Sequence, residues 1–122
     1  ERLLEGKVDV DGVTVVAAST PASGAAALRD IGDWLKDKVG SGVVVLGSVI
    51  NGRPMLVAMV TADLVDKGFD ARDIAKGAAK AIQGGGGGRA DVAQAGGRLA
   101  DKLDDALALV PDLVRETSAS AP

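Results

Sequence analysis

A single α/β domain is predicted for this chain: a small mixed sheet of about four or five strands packed by helices. Three observations carry that prediction. Hairpin signals stand at Asp11-Gly12 and Asn51-Gly52, the stretch 42–60 is almost wholly apolar apart from its turn, and helical periodicity lies between and after these strands. A length of 122 residues with 47% apolar content suits one globular core, burying roughly two-thirds of the unfolded surface. The sequence shows no internal repeat.

In chain order, Val8, Val10, Val13, Val15 and Val16 surround Asp11-Gly12, so residues 7–18 read as two short strands about a tight turn. Between Ala25 and Val39, Leu28, Ile31, Leu35 and Val39 recur at three- and four-residue steps, with Arg29, Asp30, Asp33, Lys36 and Asp37 on the other face. Gly40 is placed to end that helix, and Trp34 beside the apolar stripe is expected in the core. GVVVLGSVI (42–50) and MLVAMV (55–60) read as strands covered on both faces and form the expected sheet interior. Thr61 can cap a short helical turn through Val65. Asp70 can cap a better helix, with Phe69 and Ile74 as a hydrophobic staple. In that helix Ile74, Ala78, Ala81 and Ile82 form the apolar stripe, and Arg72, Lys76 and Lys80 repeat every four residues on another side. Leu99, Leu103, Ala106, Leu107, Val110 and Val114 mark a closing helix bent or broken at Pro111.

The composition also excludes chemistry. The chain has no cysteine and no histidine, which removes disulfides, thiolate metal sites, Ser-His-Asp and Cys-His catalysis and the usual near-neutral proton shuttle. The fragment itself is therefore expected to be noncatalytic and to need no cofactor. No apolar run approaches the roughly 18 residues of a membrane span, and Glu-Arg-Leu-Leu-Glu is no signal peptide, so a cytoplasmic protein without a membrane partner is expected. The chain does not start with methionine and ends in Thr-Ser-Ala-Ser-Ala-Pro, which reads as one module of a longer protein with a flexible tail at 117–122.

QGGGGGRADVAQAGG (83–97) joins two helices whose apolar stripes need the same core, so a shaped glycine-rich loop is expected there rather than a linker. Neither G-x-G-x-x-G after a strand nor a Walker A motif fits it. Bare glycine backbone can lie close to a bulky ligand and donate amides to phosphate or sugar oxygens. Residues 72–98 carry Arg72, Lys76, Lys80, Arg89 and Arg98 against Asp73 and Asp91, a local positive excess inside a chain of net charge −3. The three helical cations also fit a plain solvated face. Asp91 is expected to cap a short turn before Gly96, and Gln94 either reads a base edge or satisfies loop amides, the commoner role. Asp101, Asp104 and Asp105, with Lys102 among them, read as a solvated face rather than paired catalytic carboxylates.

GGGGGRADVAQAGG closely resembles the signature of the C-terminal domain of alanyl-tRNA synthetase, a glycine-rich run followed by Arg-x-Asp-hydrophobic-Ala-Gln-Ala-Gly-Gly. The order of elements and the ending ADKLDDALALVPDLV are similar too, so the resemblance covers nearly the whole chain (1–122) and leaves Glu1 to Glu5 as a remnant of a preceding helical arm. Departures are few: Gln83 stands where many relatives begin the glycine run, Ala90 replaces a frequent proline, and Val92 a frequent methionine.

The resemblance implies a noncatalytic module that docks on the outer corner of tRNA, where D and T loops meet, and helps aminoacylation and editing use one tRNA. It implies alanine-specific tRNA and other domains of the same chain as partners, a parent that is an alanine-tRNA ligase, and ATP, Mg and Zn only in that parent. The binding residues it indicates are Gly84, Gly85, Gly86, Gly87, Gly88, Arg89, Gln94, Gly96 and Gly97, to which local charge adds Lys76 and Lys80. Two alternatives remain. One is an oligomerisation module, with a homodimer as its product. The other is the nucleic-acid substrate-binding domain of a DHH-type phosphoesterase, whose related glycine motif carries a histidine that this chain lacks.

Overall fold

The computed structural model describes residues 7–120; the expected arm remnant at 1–5 and residues 121–122 lie outside them. β1 (Val8–Val10) and β2 (Val13–Ser19) pair antiparallel about Asp11 and Gly12, whose φ values of 53° and 86° suit a tight turn that matches strand twist. Helix α1 (Ala25–Val39) then crosses over and returns the chain as β3 (Val43–Ile50), parallel to β2. Gly40, at φ 79°, ends α1 by donating its N–H to the Lys36 carbonyl. Asn51 and Gly52, at φ 53° and 79°, turn β3 back into the antiparallel β4 (Arg53–Val60).

Short helix α2 (Ala62–Asp66) and helix α3 (Ala71–Ala79) follow, the latter tightening into a 3₁₀ turn at Lys80–Ile82. Thr61 occupies the N-cap of α2, yet its hydroxyl accepts from Gly42 N–H and donates to Asp63, so it ties α2 to the start of β3 rather than satisfying the helix's own amides. Asp70 caps α3 through Arg72 N–H at 2.8 Å, and both staple residues, Phe69 and Ile74, are buried.

The glycine run departs from the expected loop. Gly85–Gly88 is a strand, β5, antiparallel to β6 (Val92–Gly96), and β6 in turn pairs with β4. The sheet therefore has six strands in the order β1-β2-β3-β4-β6-β5. Glycine has little intrinsic preference for strands. The pairing of Val92–Gly96 along β4 imposes the conformation, and the glycines follow as the outer edge. After a 3₁₀ turn at Ala100–Lys102 come α4 (Leu103–Ala108) and α5 (Val110–Ser120), with Pro111 in the first turn of α5, where its missing N–H costs no hydrogen bond. Helical backbone thus continues through 117–120.

Both faces of β3 and β4 are buried. Val16, Val44, Leu46, Val57 and Met59 pack with Leu28 and Leu35 of α1 on one side. On the other, Val43, Val45, Leu56, Ala58 and Val60 meet Ile74, Ala78, Leu103, Val110 and Val114 from α3, α4 and α5. Each fully buried Val or Leu contributes about 1.5–3 kcal/mol over its exposed state. Trp34 does not join this core. It is 40% exposed, with Lys38 Nζ 5.7 Å from its ring centroid, because Leu35 takes the inward direction of α1 and the preceding residue points about 100° away.

Candidate nucleic-acid interface

The β5–β6 hairpin brings together Gly84 through Gly88, Arg89, Gln94, Gly96 and Gly97, which span only 14 residues of sequence but two strands of the sheet's edge. Its ladder has a definite sense. Arg89 N–H donates to Val92 O at 2.7 Å, and antiparallel bonding alternates from pair to pair, so Gly87 with Gln94 and Gly85 with Gly96 carry the next bonds. Gly86 and Gly88 consequently turn their N–H and C=O groups outward, along an edge that no further strand covers. All four residues of β5 are exposed.

The glycines divide into two sets. A Cβ on Gly84 would lie 1.8 Å from Gly96 O, on Gly86 1.9 Å from Gln94 O, and on Gly88 2.5 Å from Val92 O. A Cβ on Gly97 would lie 2.4 Å from Ile82 O. These four are glycine because backbone occupies the space of a side chain. At Gly85 and Gly87 nothing lies within 4 Å of the added carbon, so packing within the domain leaves those positions open.

Both ends of the hairpin are anchored. Gly84 N–H donates to Ala79 O and Gly97 N–H to Pro54 O, while at the tip Ala71 N–H donates to Ala90 O, joining the turn to the start of α3. Arg89, at that tip, lies 3.4 Å from Asp91 in an exposed ion pair. Asp91 does not cap a helical turn, because 92–96 is strand; its carboxylate instead offsets part of the Arg89 charge. Such an exposed pair is weak, on the order of 0–1 kcal/mol, and leaves the guanidinium exchangeable.

Gln94 is half-buried on β6, on the same face as Val92 and Gly96. Among the described residues its side chain makes no hydrogen bond, so it does not satisfy loop amides as the commoner reading expected. Ladder bonds and anchors already serve those amides. Lys76 and Lys80 line a cleft on the α3 surface shared with Asp73, Glu116 and Thr117, where carboxylates dilute their charge. Arg72 is engaged by Asp70 through Nε and Nη2 at 3.0 and 2.7 Å. The side-chain hydrogen bond from Arg72 holds the Asp70 carboxyl below its ordinary range and raises the guanidinium in return.

Sequence reasoning passed over Arg53, Asn51 and Gln83. They enter the same region because β4 pairs with β6, which sets the start of β4 beside Gly96 and Gly97. Only that pairing could reveal the proximity, since Arg53 and Gly97 are 44 positions apart.

A family model for the DHHA1 domain matches residues 12–116. Alanine–tRNA ligase of Herpetosiphon aurantiacus is 51% identical over 108 residues, covering 88% of this chain and 12% of that protein. The chain thus spans about one-eighth of the length of such relatives. The crystal structure of the C-Ala domain from Aquifex aeolicus alanyl-tRNA synthetase matches with a TM-score of 0.76 and 28% identity, covering 89% of this chain and 97% of that one. A DHH-domain member of the s1p family of ribosomal proteins shares the fold alone, with a TM-score of 0.57 and 15% identity over 95% of this chain and 30% of that one. With a family model matching nearly all of the described residues, the chain belongs to the DHHA1 domain family.

Proposed function

We propose that this chain is a noncatalytic tRNA-binding module of a cytoplasmic alanyl-tRNA synthetase, docking its glycine hairpin against the tRNA elbow. The observation that carries the reading is the split between blocked and open glycines. Four are needed for the fold, whereas Gly85 and Gly87 stand free on an exposed edge, where bare backbone admits a sugar-phosphate chain to close range. Outward amides on Gly86 and Gly88 supply donors for phosphate or 2′-hydroxyl oxygens. Arg89 at the tip adds an exchangeable cation, and Lys76 and Lys80 contribute only diffuse, salt-sensitive attraction. Contacts of this kind read contour rather than base identity, so selection of alanine tRNA and the aminoacylation and editing chemistry belong to other domains of the full-length protein.

A salt titration with folded alanine tRNA, beside an acceptor-stem minihelix that lacks the elbow, tests the reading. Tighter binding to the full tRNA is expected, with a loss of about tenfold in the Arg89→Glu variant. Equal affinity for both RNAs would remove elbow docking, and a dimeric mass with no RNA binding would favour the oligomerisation role instead.

A further inference from the structure

At the base of the glycine hairpin, opposite its Arg89 tip, lies a cleft of about 520 Å³. This falls within the range of small-molecule sites, about 300–1,000 Å³. Arg53, Arg98, Asn51, Gln83, Met55 and Gly96 are among the residues that line it. We propose that this cleft is a phosphate seat, built to hold one phosphodiester of an RNA backbone. The identity of the phosphate donor rests on the RNA-binding reading above; the anion chemistry of the cleft does not.

Three features set it apart from the rest of the surface. First, it is lined by two arginines and no carboxylate, whereas the three other clefts described each include an aspartate or glutamate. Second, among the described residues Arg72, Arg89 and Arg115 each pair with a carboxylate, whereas Arg53 and Arg98, like Arg29 on α1, do not, and Arg53 and Arg98 line one cleft together. Guanidinium forks without an internal partner match the oxygens of a phosphate in a two-point geometry. Third, two side-chain amides, those of Asn51 and Gln83, belong to the lining residues and can donate to an anion beside the arginines.

The fold keeps the seat open. Helix α1 packs over β3 and β4, and the core beneath it takes in Val92, at the far end of β6 from Gly96. A Cβ on Gly96 would meet only Pro54 O at 3.8 Å, so the backbone tolerates a side chain there and space alone is at stake. The arginine pair thus stands at one end of the hairpin and Arg89, its charge partly offset by Asp91, at the other, with β5 between them spanning about 13 Å.

The first arm of the test is a titration of the chain with inorganic phosphate against chloride at matched ionic strength, followed by amide chemical shifts. Saturable shifts are expected at Gly96, Gly97, Arg98 and the side-chain amides of Asn51 and Gln83, and they should vanish in the Arg53→Gln/Arg98→Gln double variant. Absent shifts, or shifts that persist in the double variant, would overturn the proposal. The second arm is RNA binding across salt. If the seat holds one phosphate, the double variant and Gly96→Leu should weaken binding to all tRNA sequences alike and flatten the log affinity against log salt slope by about 0.7–0.9. An unchanged slope in a folded double variant, while the parent chain binds tRNA, would also overturn it. Phosphate shifts confined to the cleft without any tRNA binding would sink the RNA reading and leave the seat standing.

Discussion

Two antiparallel hairpins of this domain share a topology and differ in almost everything else. The β3–β4 hairpin is rich in valine, lies at the centre of the sheet and has both faces buried. The β5–β6 hairpin lies at the edge, and its outer strand, made wholly of glycine, is exposed. In the first, buried side chains create the stability, and the full backbone ladder satisfies polar groups that burial would otherwise leave unpaired. In the second the outer strand has no side chains to bury, and its place is set by hydrogen bonds and by contact between backbones. The central hairpin is committed to the core, and so only the edge hairpin has surface left over for a partner.

That contrast can be broken in the core first. Leu46→Ala, which empties a fully buried site between β3 and α1, should cost about 2–5 kcal/mol in urea unfolding. A loss below 1 kcal/mol would mean that the central hairpin is not where the stability resides. A smaller and sharper comparison lies within β5. Gly86→Ala should cost about 1–3 kcal/mol and strip exchange protection from the Gln94 amide, because the new carbon collides with backbone, while Gly87→Ala should stay within about 0.5 kcal/mol. Equal effects at the two positions would dissolve the division into blocked and open glycines.

The smallest effect concerns acid. Asp70 is held below its ordinary range first by the Arg72 side chain, and Asp63 by hydrogen bonds from Ser41 and then Thr61. A carboxyl whose folded value is depressed adds stability above its unfolded value, near 4, and loses it as pH falls through the folded value. The melting temperature should therefore be insensitive to these groups from pH 8 to 5 and decline below about pH 4, less steeply in Asp70→Asn. An identical acid profile in that variant would remove Asp70 from the account.

Much of the fold was legible because its elements announce themselves through periodicity. Asp11-Gly12 and Asn51-Gly52 mark turns that only a few residue types can make, and Leu28, Ile31, Leu35 and Val39 leave one reading for α1. The edge hairpin was not legible as strand, since a run of glycines has no alternation to detect and its conformation comes from β4 through β6. Trp34 was misplaced because adjacency to an apolar stripe does not say which side of the stripe faces inward. The glycine motif itself was visible as a candidate interface, but its division into blocked and open positions depends on carbonyls of Val92, Gln94 and Gly96 that only the paired strand presents. Arg53 was invisible as a neighbour of Arg98 for the same reason.

A strand of identical residues carries no pattern by which its own register could be recognised, so β5 must be indexed from outside. The bonds Gly84 N–H to Ala79 O and Arg89 N–H to Val92 O provide the two marks, and the glycines between them act as a ruler of fixed length. One residue more would have no rung to occupy and would bow out from the free edge; one fewer would drag either the helix end or the turn out of place. The number of glycines, and not merely their presence, is what this edge measures.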